Sequence, residues 1–328
     1  MSPDRASRRA RRLLRWYPPS WRARYGEEFL ALLECELADR PRSLARSANV
    51  AWSGLVARGA ATGIGGLPGD PAVQARRSLA WVTASLAVFL AFALTLWSQL
   101  TVGWQWQPPR SAGTEVGMVT MSLGVLALAA LGAVAVARVL AAVVRRVLER
   151  RARGLVVPAL VAVLGAVALV VGARRFENGW PGTGGHPWAS QGLVPGGVGA
   201  FTWAATLSVT SYWVHPGALG AFPAGELAWM AASPLALLAL GWGGAVTVRR
   251  VELPVRAQRL ELRLGQCAAG AMGVVLFGAL TWLTDQSQPV VFHTGAIDVV
   301  GAVVMAGSLA CAARATSRGL AATRRVAG

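Results

Sequence analysis

The sequence contains no lysine, and charged residues make up only 14% of its 328 residues. Soluble globular proteins carry about 25% charged residues, so a chain that is also 54% hydrophobic does not have a soluble composition. The three cysteines are widely spaced along the chain, at Cys35, Cys267 and Cys311. That spacing predicts neither a disulfide framework nor a zinc site.

Catalytic and cofactor-binding patterns are also missing. Without a lysine, the GTGG run at residues 182–185 is not a phosphate-binding loop, and we interpret it as a tight turn. The three histidines show no ligand spacing such as H-x-x-x-H. No serine–histidine, zinc or paired-aspartate pattern is present, so we expect no catalytic residue, no metal site and no cofactor, and hence not an enzyme.

Residues 79–100 form an apolar run without charge, proline or glycine. As a helix the run would rise about 33 Å, enough to cross the hydrocarbon core of a bilayer. Arg76 and Arg77 precede it, and no charged residue follows until Arg110. Basic residues on one side only place the N-terminal end of this span in the cytoplasm.

Further apolar runs bounded by arginine clusters predict an all-α, multi-pass transmembrane bundle in the plasma membrane, with both termini cytoplasmic. The six predicted spans are residues 79–100, 116–137, 155–173, 227–248, 264–284 and 294–313. This membrane domain, residues 79–313, is followed by a basic cytoplasmic tail at 314–328. The clusters also account for most of the net charge of +17 without nucleic acid.

The uncharged run 198–214, between the third and fourth spans, leaves two alternatives. As a seventh span it would place Arg249 and Arg250 outside the cell. The charge bias of the loops therefore favours a re-entrant or interfacial segment.

The predicted outer side carries a cluster of ionisable residues, namely His186, His215, His293 and Asp298. They form either a metal or proton site or a set of solvated loop residues, and the missing ligand spacing favours solvation. Asp298 is the one carboxylate inside a predicted span. Because it lies about one turn from the outer end, we expect it to reach the headgroups or to cap the helix near Thr294 rather than to occupy a buried functional site.

Residues 1–58 predict a cytoplasmic unit in which a basic arm precedes a helical hairpin. Pro18 and Pro19 interrupt the chain, and Ser20 and Ser43 are candidate N-caps for helices ending near Asp39 and Arg58. Helical spacing predicts that one stripe packs across the hairpin onto another. The first stripe is Trp21, Tyr25 and Phe29, and the second is Leu44, Ala51 and Leu55. A glycine- and proline-rich linker, residues 59–78, follows.

The arm contains six arginines, at Arg5, Arg8, Arg9, Arg11, Arg12 and Arg15. Anionic lipid, a protein partner and DNA are all candidate ligands for it. Each arginine near an anionic membrane contributes about 1 kcal/mol, which favours lipid headgroups. DNA is disfavoured because the helix that follows is acidic.

The run LLRWYPPSWRARYGEEFLALLE resembles the prefix of an uncharacterised family of actinobacterial multi-pass membrane proteins, written L-Y-P-x-x-W-R-x-R-Y-G-E-E. It is also similar to short helical prefix domains on some bacterial permeases and membrane regulators. The matching residues are Tyr17, Pro18, Trp21, Arg22, Arg24, Tyr25, Gly26, Glu27 and Glu28. The resemblance implies membrane location and regulation, and no chemistry. It makes Trp21, Arg24, Tyr25, Glu27 and Glu28 candidate interaction residues, although Trp21 and Tyr25 also fit a hydrophobic seam.

Two functions are compatible with this pattern. One is a non-enzymatic membrane regulator or accessory protein whose N-terminal unit binds a cytoplasmic protein. The alternative is a transporter or permease-like protein, which favours ionisable groups in the middle of spans and internal repeats. Neither feature is clear in the sequence, so the regulator is favoured.

Small residues recur every four positions on the last two predicted spans. They are Gly265, Ala269 and Gly273 on one span and Ala302, Ala306 and Ala310 on the other. Because small residues let helices approach closely, we expect these two spans to pack together.

Overall fold

A computed structural model of the chain describes residues 3–39, 44–61, 70–106, 111–149, 154–177, 224–285 and 296–327. Within these ranges the secondary structure is helical, without a strand, so the predicted all-α class is confirmed there. The helices are α1 (Pro3–Leu14), α2 (Pro19–Asp39), α3 (Leu44–Ala61), α4 (Pro71–Trp106), α5 (Ala112–Leu148), α6 (Val156–Glu177), α7 (Ala224–Arg250), α8 (Val255–Thr284) and α9 (Ala296–Ala327).

Four of these helices are long and apolar enough to cross a membrane. The four candidate spans are Pro71–Trp97, Ala112–Leu148, Val255–Thr284 and Asp298–Val326. α6 carries a shorter apolar stretch, and α7 covers the predicted fourth span. The chain is therefore a membrane-type helical protein, and its six-span topology stays a prediction. The predicted re-entrant or interfacial segment 198–214 lies outside the described residues.

The start of α4 is set by a cap. The Asp70 carboxylate accepts a hydrogen bond from the Ala72 backbone N–H at 3.0 Å, and Pro71 occupies the first turn. The helix therefore begins ahead of the predicted span. Residues 71–78, assigned to the linker from the sequence, are helical, as are residues 59–61 at the end of α3.

Two helix pairs of the bundle run antiparallel. On α4 and α9, Ser78 lies beside Gly319, whereas Leu96 lies beside Gly301. On α5 and α8, Gly117 lies against Gly278 near one end, and Arg138 contacts Glu261 toward the other. Both pairs are therefore antiparallel.

α6 and α7 form a third antiparallel pair with close backbone contact. A Cβ at Gly243 would lie 2.6 Å from the Pro158 carbonyl oxygen, and one at Gly165 would lie 2.6 Å from that of Ala236. Only glycine permits this approach without moving a helix. α7 also packs on α4, where Gly244 faces Thr83.

Polar contacts gather the arginine-bearing helix ends on one side of the bundle. Arg76 of α4 and Arg146 of α5 both pair with Glu252, at 3.8 and 3.2 Å, in the short connection between α7 and α8. Arg250 of α7 donates to the Gly154 carbonyl ahead of α6, and Arg259 of α8 donates to a carbonyl of α9. We call this side the basic end.

The bundle interior lies between α4, α5, α8 and α9. Its fully buried side chains include Phe89, Met121, Leu128, Met272, Val275 and Met305. In lipid such helices are held by van der Waals packing and interhelical hydrogen bonds rather than by the hydrophobic effect. One such bond joins the Trp97 indole nitrogen to the Ser122 hydroxyl at 2.9 Å, linking α4 to α5.

The predicted contact between the last two spans is present, and the predicted stripes are buried only in part, at Gly265, Ala269 and Ala302. Gly265 packs beside Thr316 of α9 and Val82 of α4. Ala306 and Ala310 are exposed, and a Cβ at Gly273 would meet no atom within 4 Å. α9 makes its largest contact with α4, so the small-residue repeat does not mark its buried face.

The predicted tail also differs from the structure. α9 continues to Ala327, and Thr316, Gly319 and Thr323 are buried beyond the predicted end of the span. A buried seam on successive turns keeps residues 314–327 helical and packed at the basic end. Most of residues 314–328 therefore belong to the bundle.

The N-terminal unit is a three-helix arrangement rather than a hairpin with a loose arm. The arm forms α1, which places Ala10 and Leu13 in a core with Tyr17, Leu33 and Val50. The predicted packing of the aromatic stripe onto Leu44, Ala51 and Leu55 is not observed among the side chains that the structure describes. Leu55 is 45% exposed, because α3 turns a different face toward α1.

Candidate interaction surface

An aromatic cluster joins α1 to α2. The Tyr17 ring stacks on Trp21 with centroids 4.1 Å apart, and Phe29 meets both rings edge-on at 5.2 and 5.3 Å. Offset and edge-to-face aromatic pairs contribute about 0.5–1.5 kcal/mol beyond their buried area. Pro18 and Pro19 turn the chain between the two helices, which brings Tyr17 over the first turns of α2.

α3 closes the other side of α1 through polar contacts. Arg9 donates to the Ser47 hydroxyl at 3.0 Å, and Arg58 donates to the Trp16 carbonyl at 2.6 Å. A Cβ at Gly54 would lie 2.6 Å from the Trp16 Cβ, so the backbone of α3 nearly touches the backbone of the residues that follow α1. Arg9 consequently makes a hydrogen bond within the unit and does not extend freely from it.

Burial raises the pKa of the Tyr17 phenol, and a hydrogen bond with Ser53 of α3 opposes part of that rise. The same side chain thus contacts α2 through its ring and α3 through its hydroxyl. Tyr17 is the residue at which the three helices meet. The sequence marked it as part of a motif, without this role.

The five candidate interaction residues divide between interior and surface. Trp21 is half-buried in the aromatic cluster, as the seam interpretation predicted. Arg24, Tyr25, Glu27 and Glu28 are exposed, and the Arg24 guanidinium lies 5.3 Å from the centre of the Tyr25 ring. Such a cation–π contact organises an exposed ring for recognition.

Leu32 extends this surface one turn further along α2. It is 64% exposed and, with Tyr25 and Glu28, follows the spacing of one helix face. We call Arg24, Tyr25, Glu27, Glu28 and Leu32 the α2 surface. It presents the apolar side chains of Tyr25 and Leu32 beside the charged groups of Arg24, Glu27 and Glu28.

Four arm arginines remain exposed, namely Arg8, Arg11 and Arg12 on α1 and Arg15 directly after it. Their spacing places them on the side of the helix opposite the buried Ala10 and Leu13. The arm is therefore an amphipathic helix with a basic outer face.

The membrane bundle has its own charged contacts, which lie at the basic end. Arg138 and Glu261 form a cross-helix pair, and Arg76 and Arg146 share Glu252. Arg76 is predicted from the sequence only as a marker of topology, and the pairing with Glu252 and the pair Arg138–Glu261 were not predicted. In the sequence these charged residues all lie close to span ends that are predicted to be cytoplasmic. That shared position is the signal from which their contacts could have been predicted.

The predicted outer-face cluster is described only in part. His186, His215 and His293, like the GTGG run, lie outside the described residues. Asp298 is 1% exposed in the first turns of α9, three residues ahead of Gly301, which packs on Phe92 and Leu96 of α4. It is thus enclosed by protein rather than exposed as expected for contact with the headgroups, and the alternative of a cap near Thr294 involves a residue outside the described ranges. The described residues contain no group of three or more potential metal ligands.

Comparisons of this chain with family models, with curated proteins and with solved structures returned no match. The resemblance of the N-terminal segment therefore stays a prediction, and function has to be inferred from the surfaces described above.

Proposed function

We propose that the chain is a plasma-membrane protein with six spans and both termini in the cytoplasm. In support, the arginine-bearing ends of α4, α5, α7, α8 and α9 all lie at the basic end of one antiparallel bundle. A bundle with most of its basic residues on one side is what the positive-inside bias produces, and Arg174 and Arg175 at the far end of α6 depart from that bias. In this topology α6 and α7 supply the third and fourth spans.

Reporter fusions test the topology. A reporter that is active only outside the membrane is expected to work after Gly220 and to be silent after Gly328. Activity at Gly328, or silence at Gly220, contradicts the six-span arrangement. A cytoplasm-active reporter at the same two sites provides the control for expression.

The function that the structure supports best is a non-enzymatic membrane regulator or accessory protein, with the N-terminal unit as its partner-binding module. The observation that carries it is the α2 surface. This surface stands on a helix held by its own aromatic core, and it exposes Tyr25 and Leu32 beside Arg24 and Glu28. An enzyme or a pore requires no such exposed apolar surface, whereas a docking module does.

Site-specific photo-crosslinking in cells tests the α2 surface. A photoreactive residue at Leu32 is expected to capture one cytoplasmic protein, and the substitution Tyr25→Ser is expected to abolish the product. The control is the same photoreactive residue at Arg12, which is exposed on α1. An equal pattern from both positions, or no product at Leu32, counts against a partner at this surface.

The lipid bilayer is the second proposed partner of the N-terminal unit. The exposed arginines of α1 supply the charge, since Arg8, Arg11, Arg12 and Arg15 project away from its core. Attraction of this kind acts within a Debye length of about 8 Å at physiological salt. Nucleic acid is a poor partner, because acidic α2 adjoins the same helix.

One observation favours the transporter as an alternative function. Asp298 is enclosed within a membrane-length helix, and a buried intramembrane carboxylate is typical of proton or ion pathways. Proteoliposomes with an entrapped pH dye test this function. Proton flux that is lost in Asp298→Asn supports transport, and wild-type vesicles as tight as empty ones count against it.

A further inference from the structure

α3 has two apolar faces, and only one of them is covered by the N-terminal unit. Val50 and Gly54 face α1, where Gly54 adjoins Trp16. The opposite face exposes side chains at helical spacing: Ala45, Ala48, Trp52 and Leu55. We call these four residues the free face of α3. Trp52 is 67% exposed and Leu55 is 45% exposed, so this 18-residue helix leaves two large apolar side chains uncovered on one face.

The charge of α3 indicates what covers this face. The helix carries no acidic residue, and its charged residues are Arg46 and Arg58. Because Arg58 donates to the Trp16 carbonyl inside the unit, the free face presents apolar side chains without negative charge. α2, in contrast, exposes Glu27, Glu28 and Glu36. An anionic membrane attracts the first composition and repels the second. Between α2 and α3, the two helices of the unit that expose large apolar side chains, α3 is therefore the one suited to insert into lipid.

The chain also keeps α3 near the bilayer. Only residues 62–69 separate the end of α3 from Asp70, which caps α4. Even fully extended, that connection spans no more than about 30 Å. α4 begins at the basic end of the bundle, so the tether holds the free face within reach of the membrane surface on that side.

We propose that the free face of α3 lies in the interfacial region of the cytoplasmic leaflet. The helix is parallel to the membrane plane, with Trp52 at headgroup depth and Leu55 toward the acyl chains. Tryptophan prefers this depth because its ring is apolar and its N–H is polar. This proposal rests on the proposed membrane location of the chain.

Environment-sensitive labels on the full-length protein test the proposal. Cys35, Cys267 and Cys311 are first replaced by serine, and a single cysteine is then introduced as Ala48→Cys or Ala31→Cys for labelling with a nitrobenzoxadiazole dye. Both alanines are exposed, but Ala48 belongs to the free face and Ala31 lies on α2. The protein is reconstituted into vesicles of phosphatidylcholine and phosphatidylglycerol, with and without a lipid that carries a nitroxide near the top of its acyl chain.

The label at position 48 is expected to emit at shorter wavelength than the one at position 31 and to lose fluorescence to the nitroxide lipid. Adding Trp52→Ser and Leu55→Ser is expected to remove both effects. Equal emission and quenching at the two positions overturns the proposal. A blue shift at position 48 without nitroxide quenching also overturns it, and shows that a second copy or another protein covers the face.

Co-flotation with the vesicles shows separately whether the proposed membrane location is wrong. In that case the protein does not co-float with the vesicles, whatever the label reports. If the protein co-floats and the label at position 48 reports water, only the placement of α3 is wrong.

Discussion

The Nε atom of Arg138 on α5 donates to Oε1 of Glu261 on α8 across 2.5 Å, and Glu261 is only 6% exposed. Both residues stand just beyond predicted spans, at the ends 137 and 264. The pair joins two antiparallel helices at the basic end. A carboxylate enclosed to this degree loses its hydration. The guanidinium of Arg138 therefore has to offset the cost of burying the charge of Glu261.

Removing the guanidinium is expected to destabilise the bundle more than removing the whole pair. Arg138→Met leaves a buried carboxylate without a partner and is expected to cost about 3 kcal/mol. The double variant Arg138→Met/Glu261→Met is expected to recover most of that loss. Arg145→Met is the control, since the pair of Arg145 with Glu149 is exposed and is worth roughly 0–1 kcal/mol. Unfolding temperatures in detergent micelles measure the order of stability of these variants. A double variant that is less stable than Arg138→Met contradicts the prediction.

A methyl group at Gly243 is expected to separate α6 from α7. The added Cβ would lie 2.6 Å from the Pro158 carbonyl oxygen and 2.7 Å from the Ala162 amide nitrogen, and neither backbone atom can rotate away. Overpacking of this kind costs about 1–3 kcal/mol. Gly270→Ala is the matched control, because its Cβ would meet no atom within 4 Å and alanine is the better helix former. Equal unfolding temperatures for the two variants would show that these helices are not in close contact.

Two neighbouring leucines of α2 are expected to respond differently to truncation. Leu33 is 3% exposed and packs in the core of the N-terminal unit, whereas Leu32 is 64% exposed. Leu33→Ala is expected to cost about 2–5 kcal/mol and Leu32→Ala less than about 0.5 kcal/mol. Urea unfolding followed by a fluorophore on Cys35, which is exposed on the same helix, measures both. A larger loss for Leu32→Ala indicates that a partner or the bilayer already covers the α2 surface.

The stability of the N-terminal unit is expected to fall at alkaline pH because of Tyr17. Burial raises the pKa of this phenol in the folded chain above the ordinary value of about 10. The folded state therefore binds the phenolic proton more tightly than the unfolded state. Its contribution is complete below about pH 10 and declines as the pH rises through the folded pKa.

Tyr17→Phe is expected to remove this decline, at the cost of the hydrogen bond with Ser53. The measurement is the same urea titration on Cys35, made at pH 8 and at pH 11. A fall in stability of the same size in Tyr17→Phe assigns the alkaline transition to another group.

Anionic lipid binding by α1 is expected to depend on its exposed arginines. In a fragment of residues 1–61, changing Arg8, Arg11, Arg12 and Arg15 to glutamine is expected to abolish sedimentation with anionic vesicles. Binding of the unchanged fragment is expected to weaken with salt and to be absent on neutral vesicles. Arg22→Gln/Arg24→Gln on α2 is the control and is expected to change little. Tight binding to duplex DNA at physiological salt without vesicle binding points instead to a tethered regulator of transcription.

Helical class and membrane character were predictable because they depend on local composition. Apolar runs of span length and arginines at their ends do not require knowledge of any neighbour, and α4, α5, α8 and α9 lie where such runs predicted helices. The end of α8 at Thr284, next to Asp285, was predictable for the same reason.

Which face of each helix is covered was not predictable from periodicity. α3 is apolar on two sides, so its sequence permits packing through Leu55 or through Val50, and only contact with Trp16 selects Val50. The repeat of Ala302, Ala306 and Ala310 has the same ambiguity. In a membrane helix, lipid and protein neighbours both accept small apolar residues, and hydropathy does not distinguish them.

The sequence by itself therefore determined that this chain forms apolar helices with basic residues near their ends, because hydrophobicity and charge act on each segment independently. The tertiary structure decided the rest. It bonded Arg9 to the Ser47 hydroxyl, buried Asp298 and paired Arg138 with Glu261. Each of these contacts depends on groups that are distant in sequence and become adjacent only after packing.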